Sequence, residues 1–170
     1  MRWNESGVAF SRPVRWLLAF HGEALIPFSY AGVPAEPYTR GLRFLDPQRM
    51  LVSSAQDYLG MLHEQGIIVD HQKRQKEIQH QITHLAEGVG GEIPADPELL
   101  LEVTHLVEAP TALRGEFDKS YLDLPREVLI SVMKKHQRYF PVEKDGQLLP
   151  YFITVANKPF REDAEETYRT

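Results

Sequence analysis

Lys134, Lys135, His136 and Arg138 fall within five residues of one another, and Tyr139 and Phe140 follow at once. Ammonium and guanidinium groups beside aromatic faces suit phosphate groups and unpaired bases, as RNA recognition requires. The same grouping recurs twice near the start of the chain, in Arg12, Arg15 and Trp16 and in Arg40, Arg43 and Phe44. A second reading stands beside this one. Cations in the last turn of a helix compensate its dipole, and aromatic residues in a strand are ordinary core or cross-strand partners. On that reading the arginines are interior ion-pair partners anchored on core aromatics.

Other residue types with chemical potential carry less. His80 and His84 lie four apart, but the intervening Gln-Ile-Thr lacks the glutamate of a zinc-protease helix, so solvated histidines are the expectation. Glu102 and Glu108 are six apart and point to different helix faces, which argues against paired acid–base work. Ser53-Ser54 precedes a helix without a G-x-S-x-G frame and reads as a cap. Gly88-Val89-Gly90-Gly91 follows a helix, the wrong order for a phosphate cradle. No self-contained catalytic site, cofactor site or metal site is expected.

The elements that must position the cation cluster can be traced from local signals. Asp123, Pro125 and Glu127 mark a helix start, and Lys134 to His136 mark its last turn. Leu129, Val132, Met133 and His136 share one face, widened by Val128, so this helix is expected to face the core and to run directly into a strand over Arg138–Val142. Asp145-Gly146 then turns the chain into a second strand, Tyr151–Asn157. Upstream, three arginine-bearing strands within the first fifty residues suggest an antiparallel meander. Ser53-Ser54 caps a helix from Ala55 to Gln65, with Tyr58, Leu59 and Leu62 on its apolar side.

Ile67–Asp70 reads as a short buried strand, with Asp70 capping a helix from His71 to Gly88. That helix is largely polar, with a narrow stripe of Ile78, Ile82 and Leu85, as suits a helix that lies on the outside of a domain or bridges two. Asp96 or Pro97 opens a third helix, with Leu99, Leu100, Val103, Leu106 and Val107 inward. Thr111–Phe117 follows as a strand. The fold class is α+β: a mostly antiparallel sheet from residues 8–53 plus the hairpin 138–157, with packed helices. A single domain is expected over 1–160, with a frayed polar tail over 161–170.

The chain has 170 residues, 42% hydrophobic and 25% charged, with no cysteine, so disulfides and cysteine-based zinc sites are excluded. No apolar run approaches a membrane span, and Met1-Arg2-Trp3-Asn4-Glu5 leads into no signal-peptide core; the absence of cysteine suits a reducing cytoplasm. The net charge of −5 is unevenly spread. Residues 51–110 hold ten acids against three cations, whereas 1–50 and 111–160 each carry a positive excess. The flanks, not the middle, are the candidate phosphate-facing surface.

Several strings, taken together and in order, resemble the beta subunit of bacterial tetrameric glycyl-tRNA synthetase. They are Met1-Arg2-Trp3, Arg12-Pro13-Val14-Arg15-Trp16-Leu17, Thr39-Arg40-Gly41-Leu42-Arg43-Phe44-Leu45, Gly66-Ile67-Ile68-Val69-Asp70, Glu102-Val103-Thr104 with Leu106–Pro110, Leu124–Ile130 and His136-Gln137-Arg138-Tyr139-Phe140-Pro141-Val142. The family has histidine where this chain has Leu42, so no role of that histidine is carried over. The resemblance implies an internal piece of a longer subunit, similar to the B3/B4 module of phenylalanyl-tRNA synthetase. It implies a non-catalytic part of an aminoacyl-tRNA synthetase, with ATP, magnesium and glycine handled by the alpha subunit. The implied partners are the alpha subunit, tRNA(Gly) and the rest of the beta subunit. Tentative tRNA contacts are Arg40, Arg43, Lys134, Lys135, His136, Arg138 and Tyr139. The alternatives are an interface module that touches no RNA, or a relic editing deacylase.

Overall fold

The computed structural model describes residues 4–10, 13–42 and 49–158. Arg12, Arg43, Phe44 and the tail over 161–170 lie outside the described residues. The chain forms two compact units, Met1–Ile67 and Ile68–Thr170. The class is α+β with antiparallel pairing in every ladder between strands, as expected.

Among its described residues the first unit holds six short strands, β1 (Phe20–His21), β2 (Ala24–Leu25), β3 (Ser29–Tyr30), β4 (Val33–Pro34), β5 (Tyr38–Arg40) and β6 (Arg49–Leu51). They do not make the single meander the sequence suggests. β1 pairs with β2, β3 with β4 and β5 with β6, each as a separate two-stranded ladder. Gly22 and the Ala31-Gly32 pair adopt left-handed backbone at the first two turns, which closes each hairpin after two residues. Helix α1 (Ala55–Glu64) follows, its first turn capped by Ser54, whose hydroxyl oxygen accepts from the Asp57 N–H. Leu62 is buried as expected, but Leu59 is 59% exposed and faces away from the unit's interior.

The short buried strand expected over Ile67–Asp70 does not form, and Val69 is about half exposed. The segment's carbonyls are claimed instead by a side chain: the Arg74 guanidinium donates to Ile68 O and Val69 O, and also to Thr104 O. The Ile68 N–H donates to Glu108 O at 2.8 Å. Helix α2 (His71–Glu87) starts at Asp70, whose carboxylate accepts from the N–H groups of Gln72 and Lys73. Helix α3 (Pro97–Leu106) starts at Asp96, which accepts from Leu99 N–H with Pro97 at the first helical position.

The second unit is built on one sheet. β7 (Pro110–Glu116), β8 (Phe140–Lys144) and β9 (Gln147–Asn157) stand in the order β7-β9-β8. Asp145 and Gly146 both have positive φ, the backbone a two-residue hairpin demands, and they return β8 into β9. Ile78, Ile82 and Ala86 of α2, Leu99 and Val103 of α3, and Val107 pack against Phe140, Val142 and Ile153 of the sheet. The narrow stripe of α2 is therefore the centre of the core and not the mark of an outlying helix. Leu106, expected inward on α3, is 57% exposed.

Other groups occupy part of each outer edge of the sheet. At β7 the Gln81 side chain acts as a substitute strand, donating to Pro110 O and accepting from Ala112 N–H at 2.7 Å. At β8 the backbone of Glu92 exchanges two hydrogen bonds with Glu143.

Candidate nucleic-acid interface

Between β7 and β8 the chain runs through a 3-10 turn, Lys119–Asp123, then α4 (Arg126–Ser131), then a π-helical turn, Val132–Gln137. The core-facing amphipathic helix expected here is not what forms. Val128 and Val132 are about half exposed, His136 is exposed, Leu129 is only partly covered, and Met133 alone is buried. The sequence period assumed regular α-helix throughout. The π turn adds a residue to each hydrogen-bonded ring and rotates the later side chains off the shared face.

Arg138 ends this run and does not begin the strand. Its backbone is left-handed (φ 59°, ψ 36°), the conformation in which helices commonly stop. Its N–H and that of Tyr139 both turn back to Met133 O. Left-handed backbone is unfavourable for a residue with a Cβ by about 1–2 kcal/mol. Two side-chain contacts are made from this position. The guanidinium donates to Lys135 O, one of the carbonyls the helix end leaves unpaired, and its Nε donates to Glu102 of α3 at 2.6 Å.

Lys134 is also tied to α3, through Asp96 at 2.7 Å. Burial works against the Asp96 carboxylate, but the Lys134 ammonium and the Leu99 N–H outweigh it and hold its pKa below the ordinary value. Lys135 and His136 are exposed and form no ion pair among the described residues. Tyr139 lies flat against Phe152 of β9, with ring centroids 4.5 Å apart and planes inclined by 8°. The tip of the Phe152 ring in turn lies over Gly115 of β7, where a Cβ would stand 2.2 Å from it. Glycine is required at 115 because the Phe152 ring occupies the space above it.

In the first unit, Arg40 is exposed on β5 directly opposite Arg49 of β6. Arg49 leans over the Tyr38 ring at 4.1 Å and pairs with Glu36 at 2.5 Å, which relieves the like-charge opposition. Arg43 cannot be placed with them, since it lies outside the described residues. Leu42, where the family has histidine, is 4% exposed and forms part of this unit's small interior. Lys134, Lys135, His136, Arg138 and Tyr139 are thus gathered at one junction, while Arg40 belongs to the other unit.

Sequence reasoning missed the ion pairing of Asp96 and Glu102, the stacking of Phe152 and the contacts of Arg49. Asp96 and Glu102 carry no local mark of pairing, since their partners lie 36 or more residues away. Arg49 would have been found only by knowing the β5–β6 register. His80 and His84 are exposed and line a depression of about 260 Å³ beside Thr111 and Ala112. Among the described residues no group of three or more candidate metal ligands forms, and no helix is long and apolar enough to cross a membrane.

Comparison with known proteins identifies what the chain as a whole is similar to. A sequence profile of the glycyl-tRNA synthetase beta subunit matches residues 1–168. The glycine–tRNA ligase beta subunit of Moorella thermoacetica is 51% identical over 158 residues, which is 92% of this chain and 23% of that protein. That of Halothermothrix orenii is 49% identical over 156 residues, again 23% of its length. The Arabidopsis thaliana chloroplastic/mitochondrial glycine–tRNA ligase 2 is 45% identical over 164 residues, 15% of its length. The chain thus spans less than a quarter of each of these relatives.

Proposed function

This chain belongs to the glycyl-tRNA synthetase beta subunit family, and from that premise we propose that it is a non-catalytic domain of a glycine–tRNA ligase, which helps position tRNA(Gly), the alpha subunit or both for ATP-dependent glycyl-tRNA synthesis. On this reading ATP and its magnesium are handled by the alpha subunit in the cytoplasm. The domain supplies orientation, which lowers the entropic cost of the chemical step. The observation that carries the reading is the helix exit itself. A π turn and a left-handed cap present Lys135 and His136 outward beside the anchored Arg138 and the stacked Tyr139. Arg40 is the corresponding candidate in the first unit.

The test is charge reversal at Lys135 in the full-length protein. Lys135→Glu is expected to weaken tRNA(Gly) binding several-fold and to make its salt dependence shallower by about 0.7–0.9 in the log–log slope. A second reading, an interface module that meets no RNA, is favoured by the pairing of Lys134 with Asp96 and of Arg138 with Glu102. It predicts unchanged tRNA affinity in Lys135→Glu, with subunit assembly as the property that responds.

A further inference from the structure

We infer that Asp96 and Glu102 hold the places of two RNA phosphates, which reach Lys134 and Arg138 by exchange with this carboxylate pair. The inference rests on the RNA-contact reading above and adds to it a built-in competitor. Both carboxylates come from one helix, α3, and both cations from one helix exit, with Lys134 and Arg138 four residues apart. The two ion pairs are therefore parallel ties between the same two elements. None of the four side chains is enclosed: their exposures are 27% and 21% for Lys134 and Asp96, and 38% and 45% for Arg138 and Glu102. An anion from outside can reach each cation, and pairs so exposed contribute little to folding.

Release of either carboxylate leaves its cation in place. Arg138 keeps its left-handed backbone and its bond to Lys135 O, so the guanidinium fork stays aimed while Glu102 departs. Asp96 keeps the Leu99 N–H as the cap of α3 when Lys134 turns away. Lys135, already free of carboxylates among the described residues, supplies the first attraction for the nucleic acid. The consequence is selectivity. A polyanion that makes only loose contacts fails to displace two internal carboxylates, whereas one that fits the junction does.

The experiment uses Asp96→Asn with Glu102→Gln in the full-length protein. Asparagine is as good a cap as aspartate, and glutamine still accepts from Arg138, so the fold is kept and only charge is removed. Binding of tRNA(Gly) is measured across a salt series. Without the competing carboxylates, affinity at low salt should rise about threefold to tenfold, and the log–log slope should steepen by about 1 as phosphate contacts release counterions without offset. Unchanged or weaker binding by the folded double variant overturns the exchange. If the double variant does not fold, Glu102→Gln alone decides, by the same sign. Lys135→Glu separates the two levels. If it weakens binding while the carboxylate variants do not strengthen it, the contact surface stands and the exchange falls; if neither responds, the contact surface itself falls.

Discussion

The two units of this chain solve the problem of burial differently. The second packs two helices on a three-stranded sheet, with Ile78, Ile82, Phe140, Val142 and Ile153 at most 1% exposed. Among its described residues, the first buries only Ala31, Leu42, Val52 and Leu62 as apolar side chains, while Trp16, Ile26, Phe28, Tyr30, Leu51 and Leu59 stay more than a third exposed. Two-stranded ladders of two or three residues have little stability of their own. The lesson is that order in the second unit comes from its core, and order in the first comes from turns, a cap and a few polar contacts. The candidate junction sits on the unit that can hold it rigid.

The strongest test of that contrast is a matched pair of truncations. Phe140→Ala in the second unit should destabilise it by about 3–5 kcal/mol, read from urea unfolding, because a fully buried ring leaves a cavity that helices on a sheet cannot collapse. Leu62→Ala in the first unit should cost clearly less, since its surroundings are open enough to relax. Equal losses would break the comparison. Gly115→Ala probes how tightly the candidate site is tied to the sheet. The new Cβ must push the Phe152 ring off its seat and with it Tyr139, at an expected cost of about 1–3 kcal/mol. Stability regained in Gly115→Ala/Phe152→Leu, compared with Gly115→Ala alone, would identify the ring as the cause.

The smallest effect is a pH dependence at the helix starts of the second unit. The carboxyls of Asp70, Asp96 and Asp118 are all held below their ordinary value of 3.8. For Asp70 the chief cause is the Lys73 N–H and for Asp118 the Ser120 N–H, while at Asp96 burial opposes the lowering and the Lys134 and Leu99 donors prevail. A depressed carboxyl stabilises the fold fully above its unfolded pKa, and that contribution is lost as pH falls through the lower folded value. The thermal midpoint should therefore drop on acidification below about pH 4. The drop should be smaller in Asp96→Asn, whose cap carries no proton to gain.

Much of the second unit was legible because its signals are short-ranged. Asp70 and Asp96 announce their helices by one side chain reaching a nearby N–H. The Asp145-Gly146 turn needs only the two residues that tolerate positive φ. The α4 region was misread for the same reason, since a stripe at helical spacing says nothing about a π turn or about which face meets the sheet. The cation cluster itself was visible, but its electrostatic state was not. Lys134 and Lys135 look alike in sequence, and among the described residues only Lys134 is paired.

The order of residues by itself determined the family, the α+β class, the caps and turns, and the concentration of cations at one helix exit. Each of these is settled by neighbours within a few positions or by a string of short motifs. Tertiary structure alone decided that α3 brings Asp96 and Glu102 to Lys134 and Arg138, that Phe152 needs Gly115 beneath it, and that the first unit's strands stay in separate ladders. Those outcomes depend on which distant segments pack together. An ion pair spanning 36 residues has no energy until packing has brought its two ends within about 4 Å.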